Sequence, residues 1–199
     1  MKFTLAAIAL FLATFCAVPA TADGDPAAPV RKLSDVLIEV MKQGTELGFQ
    51  GRVAKVRPVV ASAYDMLAVS KATLGLSANK LSPEDLARLS ESYARFSVAT
   101  YADQFGKWDG ERFEVGEPHP GANGTMVVPT VLVSGASRTS IDYVMHDTDG
   151  NWTIIDVLFN GSISQVAVRR SEFVPIFRQS GLDGLIKLID TKTAALEKK

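Results

Sequence analysis

The sequence predicts an α+β fold in which helices open the chain, an antiparallel sheet follows, and helices close it. Three observations carry this. Apolar residues recur at helical spacing between Val30 and Phe105. After Trp108 the period falls to two, through RFEV (112–115), TMVVPTVLV (125–133), SRTSIDYVMHD (137–147) and NWTIIDVLF (151–159). From about residue 163 to 196 the helical spacing returns. Asp149-Gly150, the pair that tight hairpin turns prefer, separates the last two strand candidates and makes that part of the sheet antiparallel.

The chain begins with one positive residue, Lys2, and then the apolar run FTLAAIALFLATFCAV. Ala20-Thr21-Ala22 follows, the small-x-small pattern of a secretory cleavage site. The run is short for a bilayer span, and a polar, proline-containing segment (23–29) succeeds it. Cys16 is preceded by the large Phe15, which argues against lipoprotein processing. The expected organisation is a cleaved signal peptide, 1–22, and a single domain, 23–199, in the periplasm as a monomer. Cleavage removes the chain's only cysteine, so neither a disulfide nor a thiolate metal site can form and packing alone must hold the domain. A formal net charge of −1 with no basic block gives no field to recruit nucleic acid.

Val30, Leu33, Val36, Leu37, Val40 and Met41 make the first helix, with Gly44 and Gly48 as stops. Pro58 should split the next helical run, because proline removes a hydrogen bond and clashes with the preceding turn. A short helix would then end near Lys55 or Val56, and a longer one would run from Pro58 to Gly75, burying Val60, Tyr64, Leu67 and Ala68. Ser82-Pro83-Glu84-Asp85 is a helix start, with Ser82 as cap, proline in the first position and two acids at the positive end of the dipole. That helix should reach about Lys107 with two seams, one of Leu86, Leu89, Tyr93 and Phe96 and a rotated one of Val98, Tyr101 and Phe105. Two seams imply partners on two sides. At the end of the chain, helices at about 163–179 and 182–196 flank Ser180-Gly181, and Pro175 should kink or break the first near Val174.

The strands carry apolar residues on both faces. In 151–159, strict alternation sets Thr153, Ile155, Val157 and Phe159 against Trp152, Ile154, Asp156 and Leu158. In 125–133, Val127, Val131 and Val133 oppose Met126, Val128 and Leu132. A sheet covered by helices on both faces gives this pattern, and so does a sheet whose concave face lines a dry cavity.

Sites of chemistry are sparse. His119 and His146 are the only histidines, and neither has a ligand partner at helical spacing. No metal, cofactor or catalytic residue is assigned. Asp142, Tyr143, His146 and Asp156 could do acid–base work on a steroid-like ketone if they converged, as in an isomerase-type enzyme, but alternation sends Asp142 and Tyr143 to opposite faces. Arg169, Arg170, Arg178 and Lys187 form a loose basic group that could meet a phosphate headgroup; the plainer alternative is a solvated face, with Glu172 pairing Arg169.

Several stretches together resemble one family. They are Ile141-Asp142-Tyr143, Trp152 four residues before Asp156-Val157, Gly161, Arg170-Ser171-Glu172-Phe173 and Gly181-Leu182-Asp183-Gly184-Leu185. Pro58, Leu74-Gly75 and Leu81-Ser82-Pro83 agree more weakly. The chain resembles the MlaC family, periplasmic toluene-tolerance proteins that serve ABC lipid transporters and outer-membrane lipid asymmetry. Asn160-Gly161-Ser162-Ile163-Ser164 and the arginine-rich 168–173 look most like its hopanoid-associated branch, HpnM. Two departures stand out: no aromatic residue lies in 76–79, and Gly161-Ser162-Ile163-Ser164 replaces the usual Gly-Val-Ser.

The resemblance implies a curved antiparallel sheet of about four strands wrapped by N- and C-terminal helices, an NTF2-like cone with an apolar cavity. It implies a carrier without catalytic groups that shuttles phospholipid, or a hopanoid, between membranes. Its partners would be an inner-membrane ABC lipid transporter complex and an outer-membrane lipoprotein complex. The lining expected on that basis is Phe96, Tyr101, Val131, Tyr143, Met145, Ile155, Val157, Phe159 and Phe177.

Overall fold

A computed structural model describes residues 24–198; the expected leader lies outside them. Among these residues, five α-helices and seven strands make the α+β architecture that the sequence predicts. Helices α1 (Ala28–Lys42), α2 (Gly44–Ala63), α3 (Met66–Leu74) and α4 (Pro83–Gln104) come first. Strands β1 (Arg112–Val115), β2 (His119–Pro120), β3 (Met126–Val128), β4 (Thr130–Ser134), β5 (Ser137–Thr148), β6 (Asn151–Phe159) and β7 (Ile163–Ser164) follow, and α5 (Gln165–Glu197) closes the chain.

Strand β5 is the spine of the sheet. Along one edge it pairs with β6; along the other it pairs first with β4 and then with β3. Strands β3 and β4 are one ribbon interrupted at Pro129, which has no N–H to give to a ladder. Outside them, β1 pairs β4 and β2 pairs β3, all antiparallel. The expected four ribbons are therefore present, two of them broken. Asp149 (φ 53°) and Gly150 (φ 82°) turn the β5–β6 hairpin as their residue types demand.

The face assignment of β6 needs correction. Val144 pairs Asp156, yet the next residue, Met145, pairs Ile154, so Ile155 is an extra residue in a β-bulge. The bulge resets the alternation. Val157 and Phe159 lie across from Tyr143 and Ile141, and Ile154 lies across from Met145, all on one side. Trp152 and Ile154 thus join Val157 and Phe159 on the helix-covered face instead of opposing them. Thr153, Asp156 and Leu158 take the outer face. The apolar surplus of this strand serves one face through a register change.

Helix α1 buries its predicted stripe, including Val30, Leu33, Leu37 and Val40. Pro58 does not split α2. It lies on an exposed face together with Ala54, whose unpaired carbonyl water can satisfy, while Val53, Val56, Val59 and Val60 anchor the opposite face. The interruption comes six residues later: Tyr64 is extended and bridges Ile154, the Asp65 amide donates to the Ile154 carbonyl (3.1 Å), and the Asp65 carboxylate caps α3 at the Ala68 amide (2.8 Å). This break rotates the following face, so Leu67, expected inside, is exposed, and Val69, Ser70, Thr73 and Leu74 are buried. Gly48 (φ 59°, ψ −179°) leaves helical geometry and divides α2 into two helical segments, as its reading as a stop requires, in a conformation open to glycine without penalty. Likewise Gly181 (φ 67°) divides α5 where Ser180-Gly181 predicts, whereas Pro175 passes within the helix.

Two apolar clusters result. The first joins α1, α2 and the end of α4 to the inner face of the sheet; the second joins α3, the start of α4 and α5. Helix α4 belongs to both, as its two seams predict: Leu89, Tyr93 and Phe96 enter the second cluster, and Val98, Tyr101 and Phe105 the first. Ser82 accepts the Asp85 amide at 3.1 Å and sets the start of this helix.

Candidate functional site: an apolar cavity between two cores

Where the two clusters meet, the packing leaves a cavity of about 170 Å³ open to the centres of water-sized molecules. Its sheet wall is Ile141 and Tyr143 of β5 with Ile155, Val157 and Phe159 of β6. Helix α4 supplies Tyr93, Phe96, Tyr101 and Phe105 opposite, and the α2–α3 junction supplies Tyr64, Met66 and Val69. The walls are largely aromatic and aliphatic, and Phe159, 40% exposed, lies where they open to solvent.

Within these walls the hydroxyls of Tyr64 and Tyr101 meet at 2.5 Å, and Tyr143 lines the same cavity. Burial pushes all three phenols well above their ordinary pKa, so they stay neutral donors. The rings are brought together from the end of α2, the last turn of α4 and the central strand.

The cavity also has a polar margin from Ser97, Thr100 and Gln104 of α4 and Gln165 and Arg169 of α5. Arg169 packs its guanidinium 4.9 Å from the centre of the Phe96 ring and bonds Glu172 at 3.0 Å. Glu172 also takes Lys192, at 2.5 Å. Burial raises the Glu172 carboxyl, but Lys192 and Arg169 outweigh it and hold the pKa below the usual range. Asp156 reaches the margin from β6. Its carboxylate accepts the Val166 amide (3.0 Å) and the Ser164 hydroxyl (2.5 Å), which fastens the start of α5 to the sheet.

Of the nine residues expected to line a cavity, Phe96, Tyr101, Tyr143, Ile155, Val157 and Phe159 come together around this one. Three do not. Val131 lies on the face of β4 opposite Leu132, and it is Leu132 that packs into the first cluster. Met145 is fully buried within the first cluster, past the bulge, against Ile154. Phe177 packs in the second cluster, beyond the stretch of α5 that reaches the cavity. Tyr64, Tyr93 and Phe105 carry helix-seam or burial signals in the sequence, but nothing marks them as lining. Met66, Ser97 and Gln104 depend on the break at Tyr64 and the packing angle of α4, which no local pattern encodes.

The acid–base group does not assemble. Tyr143 and Asp156 reach the cavity, but Asp142 accepts the Thr130 amide and the Ser140 hydroxyl, and His146 is exposed beyond it. His119 is exposed on β2. The basic group also disperses: Arg170 donates to the Ala72 carbonyl at the end of α3, and Arg178 and Lys187 are exposed on α5.

A curved antiparallel sheet whose concave face meets helices across an apolar cavity defines the class, the NTF2-like α+β cones. Residues 31–191 match the family described as MlaC protein, and the chain belongs to that family. Among solved structures it is similar to the phospholipid-binding protein from Ralstonia solanacearum in complex with a phospholipid. The TM-score is 0.74 at 17% sequence identity, covering 86% of this chain and 98% of that one, a likeness of fold. No curated protein matches the chain.

Proposed function

We propose that this protein is a periplasmic lipid carrier, a binding protein and not an enzyme, that encloses the acyl chains of a phospholipid between membranes. The observation that carries this is the apolar cavity, with Phe96, Val157 and Phe159 in its walls and Arg169 on its margin, in a chain of the MlaC family. The likeness to a phospholipid-binding protein supports it. Enclosure meets a definite need: each methylene exposed to water costs about 0.8 kcal/mol, so a two-chain lipid cannot cross an aqueous space unaided. The chain enters the periplasm through removal of residues 1–22 and exchanges its cargo with an inner-membrane ABC transporter complex and an outer-membrane lipoprotein complex.

A hopanoid is the second reading. It is favoured by the aromatic walls of Phe96, Tyr101, Phe105 and Tyr143, which offer flat surfaces to a fused-ring body. Solvent extraction of protein purified from its native periplasm, followed by mass spectrometry, tests both. We expect phospholipid in near-stoichiometric amount. Hopanoid alone reverses the order, and an empty extract together with no binding of a fluorescent phospholipid removes the carrier reading.

A further inference from the structure

The three tyrosine hydroxyls do more than satisfy one another. Tyr64 and Tyr101 are joined at 2.5 Å, and Tyr143 stands with them in the wall of the same cavity. Each phenol carries one O–H donor, so the single bond between Tyr64 and Tyr101 leaves one of their two donors unused whichever way it runs, beside the donor of Tyr143. Among the described residues no carbonyl or carboxylate accepts from them. The Asp156 carboxylate, also at the cavity, is engaged by the amides of Val157 (2.7 Å) and Val166 (3.0 Å) and by the Ser164 hydroxyl, and it has no hydrogen bond to a tyrosine. Tyr143 is 1% exposed and Tyr64 and Tyr101 are half-buried, and the three share the cavity with Ile141, Phe105 and Val157.

A purely hydrocarbon ligand would be poorly served by this arrangement. Filling the cavity with methylenes would strip water from the unused donors and give them no acceptor, which is the costly way to bury a polar group. Three phenylalanines would fill the same volume without that cost. We propose that the Tyr64–Tyr101–Tyr143 row is a recognition point for lipids that place a hydrogen-bond-acceptor oxygen at this depth of the cavity. This rests on the carrier reading and narrows its ligand class. The oxygen has two possible sources: an ester carbonyl at the glycerol end of a diacyl lipid, or an oxygen set within an acyl chain. Tyr101 follows Phe96, the ring under Arg169, by five residues, about 7.5 Å of helix rise, so a headgroup near Arg169 and an oxygen near Tyr101 belong to one molecule of ordinary size.

The test uses two matched pairs of ligands on the full mature chain. One pair is a diester phosphatidylglycerol and its diether analogue with equal chains; the other is a long-chain fatty acid and its mid-chain hydroxy derivative. Competition against a fluorescent phospholipid gives a preference ratio for each pair. We expect about a fivefold preference for the oxygen-bearing member of at least one pair, the size of one hydrogen bond. In the Tyr64→Phe/Tyr101→Phe/Tyr143→Phe variant that ratio should fall toward one, whatever its absolute affinity. Preference in the first pair assigns the ester carbonyl, and preference in the second assigns the in-chain oxygen. Equal binding within both pairs by the unaltered protein overturns the proposal irrespective of how the variant behaves, and a ratio that survives in the folded variant does the same. Failure of the unaltered protein to bind any of the four, or the fluorescent lipid itself, removes the carrier reading as well.

Discussion

The Asp142 carboxylate accepts a hydrogen bond from the Thr130 amide at 3.2 Å, across the gap that Pro129 leaves between β3 and β4. The Ser140 hydroxyl donates to the same oxygen at 2.9 Å. A side chain thereby replaces the ladder bond that the interrupted ribbon cannot make. The role is structural, in a residue whose chemistry by itself suggested a catalytic acid. Asp142→Ala should lower the unfolding free energy by about 1–3 kcal/mol, because it orphans a buried amide. Urea denaturation followed by circular dichroism reads this, and an unchanged midpoint would contradict it.

Val157 faces the cavity across from Tyr143, whereas Asp142 faces away from it. Val157→Arg places a charge and extra volume where the ligand is expected, so it should abolish most lipid retention. Asp142→Asn should keep its lipid once folded. Native mass spectrometry of both variants decides the matter, and the opposite pattern would invert the face assignment.

Ile155 is the extra residue of the β6 bulge. Deleting it would leave Met145–Ile154 and Val144–Asp156 as consecutive rungs of an unbroken ladder, with Trp152 and Ile154 still on the buried face. The deletion should therefore stay soluble and folded. Ile155→Ala removes the same partly buried side chain and should likewise cost only about 1–3 kcal/mol. Near-ultraviolet circular dichroism reads the packing of Trp152 in both, and an unfolded deletion variant would refute the role given to the bulge.

Pro58 is inside α2 on an exposed face. Pro58→Ala should restore the missing helix hydrogen bond, offset in part by a more flexible unfolded chain, for a net gain of about 1–2 kcal/mol. Thermal unfolding should show a higher Tm; a lower one would mean the helix is bent in a way that requires proline.

Glu172 has its folded-state pKa depressed by Lys192 and Arg169 against the opposing effect of burial. A depressed carboxyl stabilises the fold above its unfolded pKa and loses that contribution as pH falls through the folded value. The Glu172→Gln variant should therefore be less stable than the parent at pH 7, by no more than about 1 kcal/mol since the pair is partly exposed, and the difference should vanish in acid. Denaturation midpoints between pH 7 and pH 3 test the sign, and a gap that widens on acidification would refute it.

Local sequence was a sufficient guide wherever one face of one element decides the outcome. The Ser82-Pro83 start, the two seams of α4, the Asp149-Gly150 turn and the division at Gly181 all follow from caps, periods and left-handed positions that neighbouring residues specify. The resemblance in 141–185 identified the family, and with it six of the residues that surround the cavity.

Other features were decided only by tertiary structure, because they depend on what lies across from a residue. Whether Pro58 breaks a helix turns on whether the Ala54 carbonyl it leaves unpaired meets water, and the exposed face of α2 lets it. The true break at Tyr64 exists because that residue finds an edge of β6 to bridge. Met145, Trp152 and Ile154 moved relative to expectation because the bulge shows only in the pairing of two strands, and nothing within 151–159 announces it. Alternation, caps and turns are short-range and written in order along the chain. The register between strands, the exposure of a helix face and the convergence of Tyr64, Tyr101 and Tyr143 are relations between distant segments, fixed only when the chain packs.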